Sequence, residues 1–439
     1  MIIKKIIIDK EKNMVIKNGK VVLFENEDVV IKKVDIQIEE GKIAKIQEQI
    51  EPKKEEEIID ATDKVVMPGL INTHCHSAMS IFRGTFEGCN LYTWLNEKIW
   101  PIEAKLSEKE VYDASMLSIA EMISTGTTCF NDHYFMSEET RKAVETAKIR
   151  AVLTRVLMDN DGEEASNKRI QEFKNFYETR NKENDLITYS VSPHGLYTCS
   201  DKCLEEARKL ALEYKLPIHI HFLESVDEIE DIKKLHGEDA AQVLKKYFGD
   251  THTILAHGVK LTDKDIEILK TMDTGIAHNP ISNLRLGCKI ADTTKYLKNE
   301  INVGLGTDGQ GSGNNLDMFE TMRTACLIQG GIHEDEDRIT SKEAIKMATI
   351  NGAKLLGLGD KIGSIEEGKE ADIILVNIEP TLDNITKLPN NDIISNLVYN
   401  TSGKDVDTTI VKGTVLMKNR KIKTINTEEI IEKLQGIKI

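Results

Sequence analysis

Two histidine pairs and two carboxylates stand out in this 439-residue chain as groups able to do chemistry together. His74 and His76 are one residue apart, as are His219 and His221. With 11 histidines in 439 residues, chance supplies roughly 0.3 such H-x-H pairs, so two need an explanation. Residues i and i+2 of a strand point to the same side, which lets one pair bring two imidazoles to one ion. Glu224 follows His221 by three residues, His257 sits in TILAHG, and Asp308 sits in GTDG. Three imidazoles and a carboxylate around a divalent ion leave a position open for water, the arrangement hydrolytic metal sites use. In this reading His74, His76, His221 and Asp308 are metal ligands and His219 is a layer residue deeper in the fold. Glu224 lies near the metal, and His257 is a neutral imidazole hydrogen-bonding the attacking water. Singly, each has a plainer explanation, a satisfied core histidine above all; the combination is the signal.

These residues are useful only if the fold converges them. Eight short apolar segments alternate with helical stretches, the layout of a parallel βα array that can close into a barrel. They end at His76, Asp132, Leu157, His194, Glu224, Val259, Pro280 and Asp308, so the candidate ligands fall at strand C-termini, where such barrels carry their sites. The fourth segment ends in Ser192-Pro193-His194 and offers no lysine to bridge a second ion, which favours one metal. Ser107 with Glu110 and Thr340 with Glu343 predict capping boxes, and Gly126 a helix end. Residues 31–47 alternate apolar and polar around Glu40-Gly41, and 365–378 and 408–423 also predict short strands. Both ends of the chain therefore build one small β domain. The expected division is 1–64 plus 361–425 for that domain, 65–360 for the barrel, and 426–439 for a C-terminal helix.

Composition narrows the function. A net charge of −15 repels phosphate backbones and anionic lipid, which argues against nucleic acid and membrane partners. Seven scattered cysteines without a C-x-x-C pair fit a reduced, cytoplasmic compartment. The opening MIIKKIIIDKEK breaks its apolar residues with charge too early for a signal sequence, so a soluble, unprocessed chain is expected.

The run PGLINTHCH (68–76), His221 with Glu224, Ala256-His257-Gly258, His278-Asn279-Pro280 and Thr307-Asp308-Gly309 together resemble the amidohydrolase superfamily, in its mononuclear aminohydrolase branch. MSIFRG (79–84), Trp94-Leu95, WPIE (100–103) and the SPHG around His194 are similar to the 5-methylthioadenosine/S-adenosylhomocysteine deaminase family within it. The resemblance covers almost the whole chain. It implies a (β/α)8 TIM-type barrel with a β-sandwich made from both termini, one zinc ion (or ferrous iron) on His74, His76, His221 and Asp308, and a homo-oligomer. It further implies a small-molecule nucleoside substrate, with Glu103 at the ribose hydroxyls, His194, Glu224 and Ser312 at the nucleoside, and Arg155 and Arg169 near its tail. Two loops depart from the pattern: 159–169 is longer, and 307–315 carries Gln310 and an additional glycine.

The chemistry so implied is hydrolytic deamination at C6 of an adenine ring. Glu224 delivers a proton to N1, Asp308 passes the water proton to the departing amine, and His257 orients the nucleophile. The same machinery serves guanine, a pterin or a triazine, and a non-catalytic scaffold is the more distant alternative. Trp94 and Trp100 read equally as lid anchors or base contacts. His133, His236, His252, His278 and His333 are left outside the site.

Overall fold

The eight expected segments become eight parallel strands: Leu70–Cys75, Thr127–Tyr134, Arg150–Leu157, Ile187–Tyr189 continued by Ser192–Pro193, Ile218–Phe222, Thr253–His257, Thr274–His278 and Asn302–Leu305. The structure is a computed structural model and describes residues 13–333, 338–378 and 391–437. The first four strands form one sheet in sequence order and the last four another. One seam between them is bridged at Val191–Ile218 and Gly195–His221. At the other seam the Asp308 amide donates to His74 O (3.0 Å), Thr73 Oγ1 donates to Leu305 O (2.8 Å), and Asn72 pairs with Thr307. Both seams carry hydrogen bonds, so the sheet closes into a (β/α)8 barrel.

The helical layer starts where its signals lie. Ser107 and Glu110 cap the helix Glu108–Ser124 reciprocally, and Thr340 and Glu343 do the same for Ser341–Ala348. Gly126, at φ +90°, follows the first of these helices and turns the chain into the second strand.

The first barrel segment corrects the expectation drawn from sequence. VVMPGLINTHCH is two strands, because Lys64–Pro68 belongs to the terminal sheet and pairs antiparallel with Ile373–Asn377. Gly69 is the switch point: a Cβ there would stand 2.1 Å from Thr128 Oγ1, so only glycine lets the backbone pass this close to the second strand. An unbroken apolar run hides the division, since both halves are buried.

N- and C-terminal strands join edge to edge in one seven-stranded sheet, in the order Lys421–Ile422, Thr414–Lys418, Val406–Val411, Ile373–Asn377, Lys64–Pro68, Lys20–Glu25, Asp28–Lys33. A four-stranded sheet containing the hairpin Asp35–Glu39/Lys42–Gln47 packs on it through Ile16, Ile36, Ile38, Val66, Leu375 and Ile410. That hairpin turns through Glu40 and Gly41, both at positive φ, as a two-residue loop requires. The other face of the seven-stranded sheet, through Val65, Met67, Ile374 and Val376, joins the barrel's own core. Arg150, buried at the base of the third strand, locks the two together: Nε donates to Asp372 Oδ2 (2.8 Å), and Nη2 to Asp372 Oδ1 (3.0 Å) and Glu370 Oε2 (2.5 Å). The helix Thr427–Gln435 lies against Glu108–Ser124 with Lys433 facing Asp113. Among the described residues no helix is long and apolar enough to cross a membrane. The opening segment 1–12 and residues 438–439 of the expected C-terminal helix lie outside the described residues.

Candidate active site

Strand periodicity turns His74 and His76 into the barrel mouth, and the opposite wall supplies His219 and His221. Backbone carbonyls fix two of these rings. His76 Nδ1 lies 2.6 Å from His133 O and His221 Nδ1 2.7 Å from His194 O. A carbonyl can only accept, so both rings carry a proton on Nδ1, and in the neutral form each presents a bare Nε2. Those two Nε2 atoms stand 3.4 Å apart, and Asp308 Oδ1 is 3.0 Å from His76 Nε2 and 3.5 Å from His74 Nε2. His74 Nδ1 is taken up by His219 Nε2 at 2.9 Å, while the buried His74 Nε2 has no hydrogen-bond partner. Lone pairs turned on one another repel unless a cation stands between them. Three imidazole nitrogens and one carboxylate oxygen are a donor set that zinc and ferrous iron accept, so these residues fit a divalent metal.

Electrostatics favour the neutral form at two of the three histidines; at His76 the lowering by burial is outweighed by the adjacent Asp308, which raises its pKa. Burial, together with neighbouring imidazoles, holds His74 and His221 below the ordinary histidine range, in the neutral form that can ligate. Burial pushes the Asp308 carboxyl up, but the imidazoles of His74, His76 and His257 around it outweigh that and hold the group well below the usual carboxylate range. Asp308 adopts a left-handed backbone (φ +58°), and its Oδ2 accepts from Ser282 Oγ (2.6 Å) and Ser312 Oγ (2.7 Å), leaving Oδ1 toward the histidines.

His257 closes the sixth strand, also at positive φ. Asn283 Nδ2 lies 2.9 Å from its Nδ1. An amide nitrogen only donates, so Nδ1 accepts and the ring proton sits on Nε2. Burial lowers its pKa to about 3, which keeps the ring neutral. Glu224 is buried beside it, with Oε1 3.3 Å from Asn283 Nδ2 and 3.7 Å from Cys288 Sγ. Its pKa is raised well above the carboxylate range, by burial first and then by the negative charges of Asp308 and Glu228. A carboxyl held protonated beside a neutral imidazole donor and an ionised carboxylate is a constellation for moving protons.

A cavity opens above these groups. Trp94, Trp100, Glu103, His133, Tyr134 and His194 help to line it. Glu103 reaches it through an irregular stretch in which the wide turn Trp94–Ile99 runs into Trp100–Glu103. Burial raises the Glu103 pKa, opposed by the Tyr134 hydroxyl and by His76. His194 pairs with Thr198 Oγ1 at 3.1 Å and is neutral, its pKa lowered to about 3 by burial and the nearby His76 and His74.

The structure thus brings His76, His194, His221, Glu224, His257, Asp308 and Glu103 to one cavity, with His74 buried against Asp308 at 3.5 Å. Ser312 turns to Asp308. The two arginines stand away from the cavity wall: Arg155 is clamped by Glu138 (2.6 Å) and Glu172 (2.8 Å), and Arg169 by Asp161 (2.5 Å) and Met158 O (2.8 Å). Sequence reasoning missed Ser282 and Asn283, which carry no motif of their own and act from the helix Pro280–Arg285. It also left out His133, although its i+2 relation to the inward Asn131 was a usable signal. His133 is buried, one ring nitrogen is unpartnered, and it lines the cavity with a nitrogen within 4.8 Å of those of His76 and His221. Trp94 and Trp100 both line the cavity and pack in the apolar cluster roofing it.

Comparison with known proteins places this geometry in context. The model of the amidohydrolase family matches residues 65–416. The chain is 43% identical to the 5′-deoxyadenosine deaminase of Methanosphaera stadtmanae over 404 residues, 91% of this chain and 93% of that one. It is 40% identical to the 5-methylthioadenosine/S-adenosylhomocysteine deaminase of Thermoanaerobacter pseudethanolicus over 421 residues, 95% and 97% of the two chains. Among solved structures, an adenosine deaminase from Xanthomonas campestris with bound zinc superposes with a TM-score of 0.88 at 27% identity, covering 97% of each chain.

Proposed function

The chain belongs to the amidohydrolase family, and from that premise we propose that this hydrolytic deaminase converts adenosine-type nucleosides, among them 5′-deoxyadenosine, 5′-methylthioadenosine, S-adenosylhomocysteine and adenosine, to the inosine analogues and ammonia. The observation that carries the nucleoside reading is Glu103. It is a half-buried carboxyl in the cavity wall beside Glu224 and Asp308, and unlike them it stands outside every metal-binding grouping of side chains among the described residues, which leaves it to bind a pair of ribose hydroxyls.

One zinc ion, with ferrous iron as the alternative, would be held by His74, His76, His221 and Asp308 and would make a water acidic enough to attack at neutral pH. Glu224, kept protonated by burial, gives its proton to ring N1 as C6 becomes tetrahedral. Asp308, anchored by Ser282 and Ser312, takes the proton of the attacking water and passes it to the departing amine. His257 offers its Nε2 proton to the attacking oxygen, a direction set by Asn283. His194 contacts the nucleoside. Arg155 and Arg169 take up a charged tail only by leaving the carboxylates that now hold them.

We further propose a homo-oligomeric, cytoplasmic enzyme; seven free cysteines support the compartment. The expected division into 1–64 plus 361–425, 65–360 and 426–439 is the domain reading we adopt, with its first boundary moved from 64 to 68 because Lys64–Pro68 pairs within the terminal sheet. The test is ammonia release, with the adenine-to-hypoxanthine absorbance change, on 5′-methylthioadenosine, S-adenosylhomocysteine, 5′-deoxyadenosine, adenosine, adenine and guanine. Turnover of nucleosides without free bases is expected. Turnover of bases alone would overturn the role of Glu103.

A further inference from the structure

A buried carboxylate that the mechanism leaves idle lies directly behind Glu224. In a strand whose inward residues are His219 and His221, regular alternation would turn Leu223 inward and Glu224 away from the cavity. The chain avoids this by placing Leu223 in the left-handed region, at φ +51°. That conformation is unfavourable for a residue with a Cβ and persists only where the surroundings hold it. The hold comes from Glu228, in the first turn of the helix Val226–His236. Its Oε1 accepts the Leu223 amide at 2.8 Å and its Oε2 the Glu224 amide at 2.7 Å, with the carboxyl buried at 4% exposure. Ser225 Oγ in turn accepts the Glu228 amide, so the helix start and the bend are tied to each other. The Leu223 carbonyl is taken by the Lys260 amide at 2.9 Å.

We propose that Glu228 is the positioning residue for the proton donor: by occupying two consecutive amides with its two oxygens it fixes the left-handed bend at Leu223 that turns Glu224 into the cavity. The proposal rests on the reading of Glu224 as the donor. Both oxygens are engaged, so glutamine is not an equivalent replacement. A carboxamide has one acceptor and leaves the second backbone amide facing an NH2.

The test uses the full-length, zinc-loaded chain and its Glu228→Gln and Glu228→Ala variants. Four quantities are measured on each: steady-state kinetics on 5′-deoxyadenosine, bound zinc, thermal midpoint, and amide hydrogen exchange across 222–226. A displaced catalytic group costs about 100-fold in rate per ångström-scale shift. We therefore expect kcat to fall by about 100-fold in Glu228→Ala and about tenfold in Glu228→Gln, with KM within about threefold and zinc content unchanged. The amides of Leu223 and Glu224 should exchange at least about tenfold faster in Glu228→Ala. The proposal is overturned if kcat changes less than twofold in both variants, or if it falls only in step with lost zinc or lost folded protein. If the wild-type enzyme deaminates no nucleoside, it is the function assigned above that fails. Amide exchange then decides the role of Glu228 alone, and unchanged exchange in Glu228→Ala overturns it.

Discussion

Replacing Glu224 by glutamine isolates proton delivery from everything else the site does. The side chain keeps its size, and the amide oxygen can still accept from Asn283, whose Nδ2 is 3.3 Å away. The NH2 then faces the ring nitrogen and can donate a hydrogen bond to N1 but cannot transfer a proton, so binding is retained while the transition state loses its acid. General acid catalysis contributes about 10²- to 10⁴-fold, which at 1.36 kcal/mol per tenfold corresponds to a barrier increase of about 3–5 kcal/mol. The upper half of that range is expected, because the buried site offers bulk water little access to replace the donor. The assay is ammonia release under saturating substrate, paired with metal analysis of the same protein. Glu224→Gln should retain its metal, since the donor set is His74, His76, His221 and Asp308, whereas His221→Ala should lose it. Turnover of Glu224→Gln within tenfold of wild type, with metal bound, would refute the assignment of Glu224 as the acid.

Other perturbations separate the remaining roles. The acid form of Glu224 is the active one, and burial and the charges of Asp308 and Glu228 raise its pKa; activity is therefore present below that raised pKa and lost as pH rises through it. The alkaline limb of the kcat profile should disappear in Glu224→Gln. Glu103→Gln should raise KM for nucleosides by about tenfold or more, since a hydrogen bond to a charged group is worth about 1.5–3 kcal/mol, and leave slow turnover of any free base unchanged. An equal effect on bases would remove Glu103 from the ribose. Arg150→Ala strands the buried Asp372 and Glu370 carboxylates without their cation and should cost about 3–5 kcal/mol, read as a lower urea midpoint; an unchanged midpoint would mean that the contact between barrel and terminal sheets does not depend on this ion pair.

Much of this molecule is written locally. The H-x-H pairs, the capping boxes at Ser107 and Thr340 and the positive-φ turn at Glu40-Gly41 depend on neighbours a few residues away, and the strands, helix starts and hairpin appear where those signals stand. Ligand residues at strand ends are legible for the same reason: a closed parallel barrel sends all its C-terminal ends to one face. Contacts between distant segments leave no local mark. Gly69 divides one apolar run between two sheets because Thr128, 59 positions on, leaves no room for a Cβ. Arg155 and Arg169 are free cations in the sequence, and only the fold shows the carboxylates of Glu138, Glu172 and Asp161 neutralising them. Ser282 and Asn283 become part of the site because a short helix after the seventh strand sets their side chains against Asp308 and His257. Side-chain type and spacing determined which groups are available for metal binding and proton transfer. Tertiary structure decided which way each one points, through hydrogen bonds and steric limits that act across the barrel rather than along the chain.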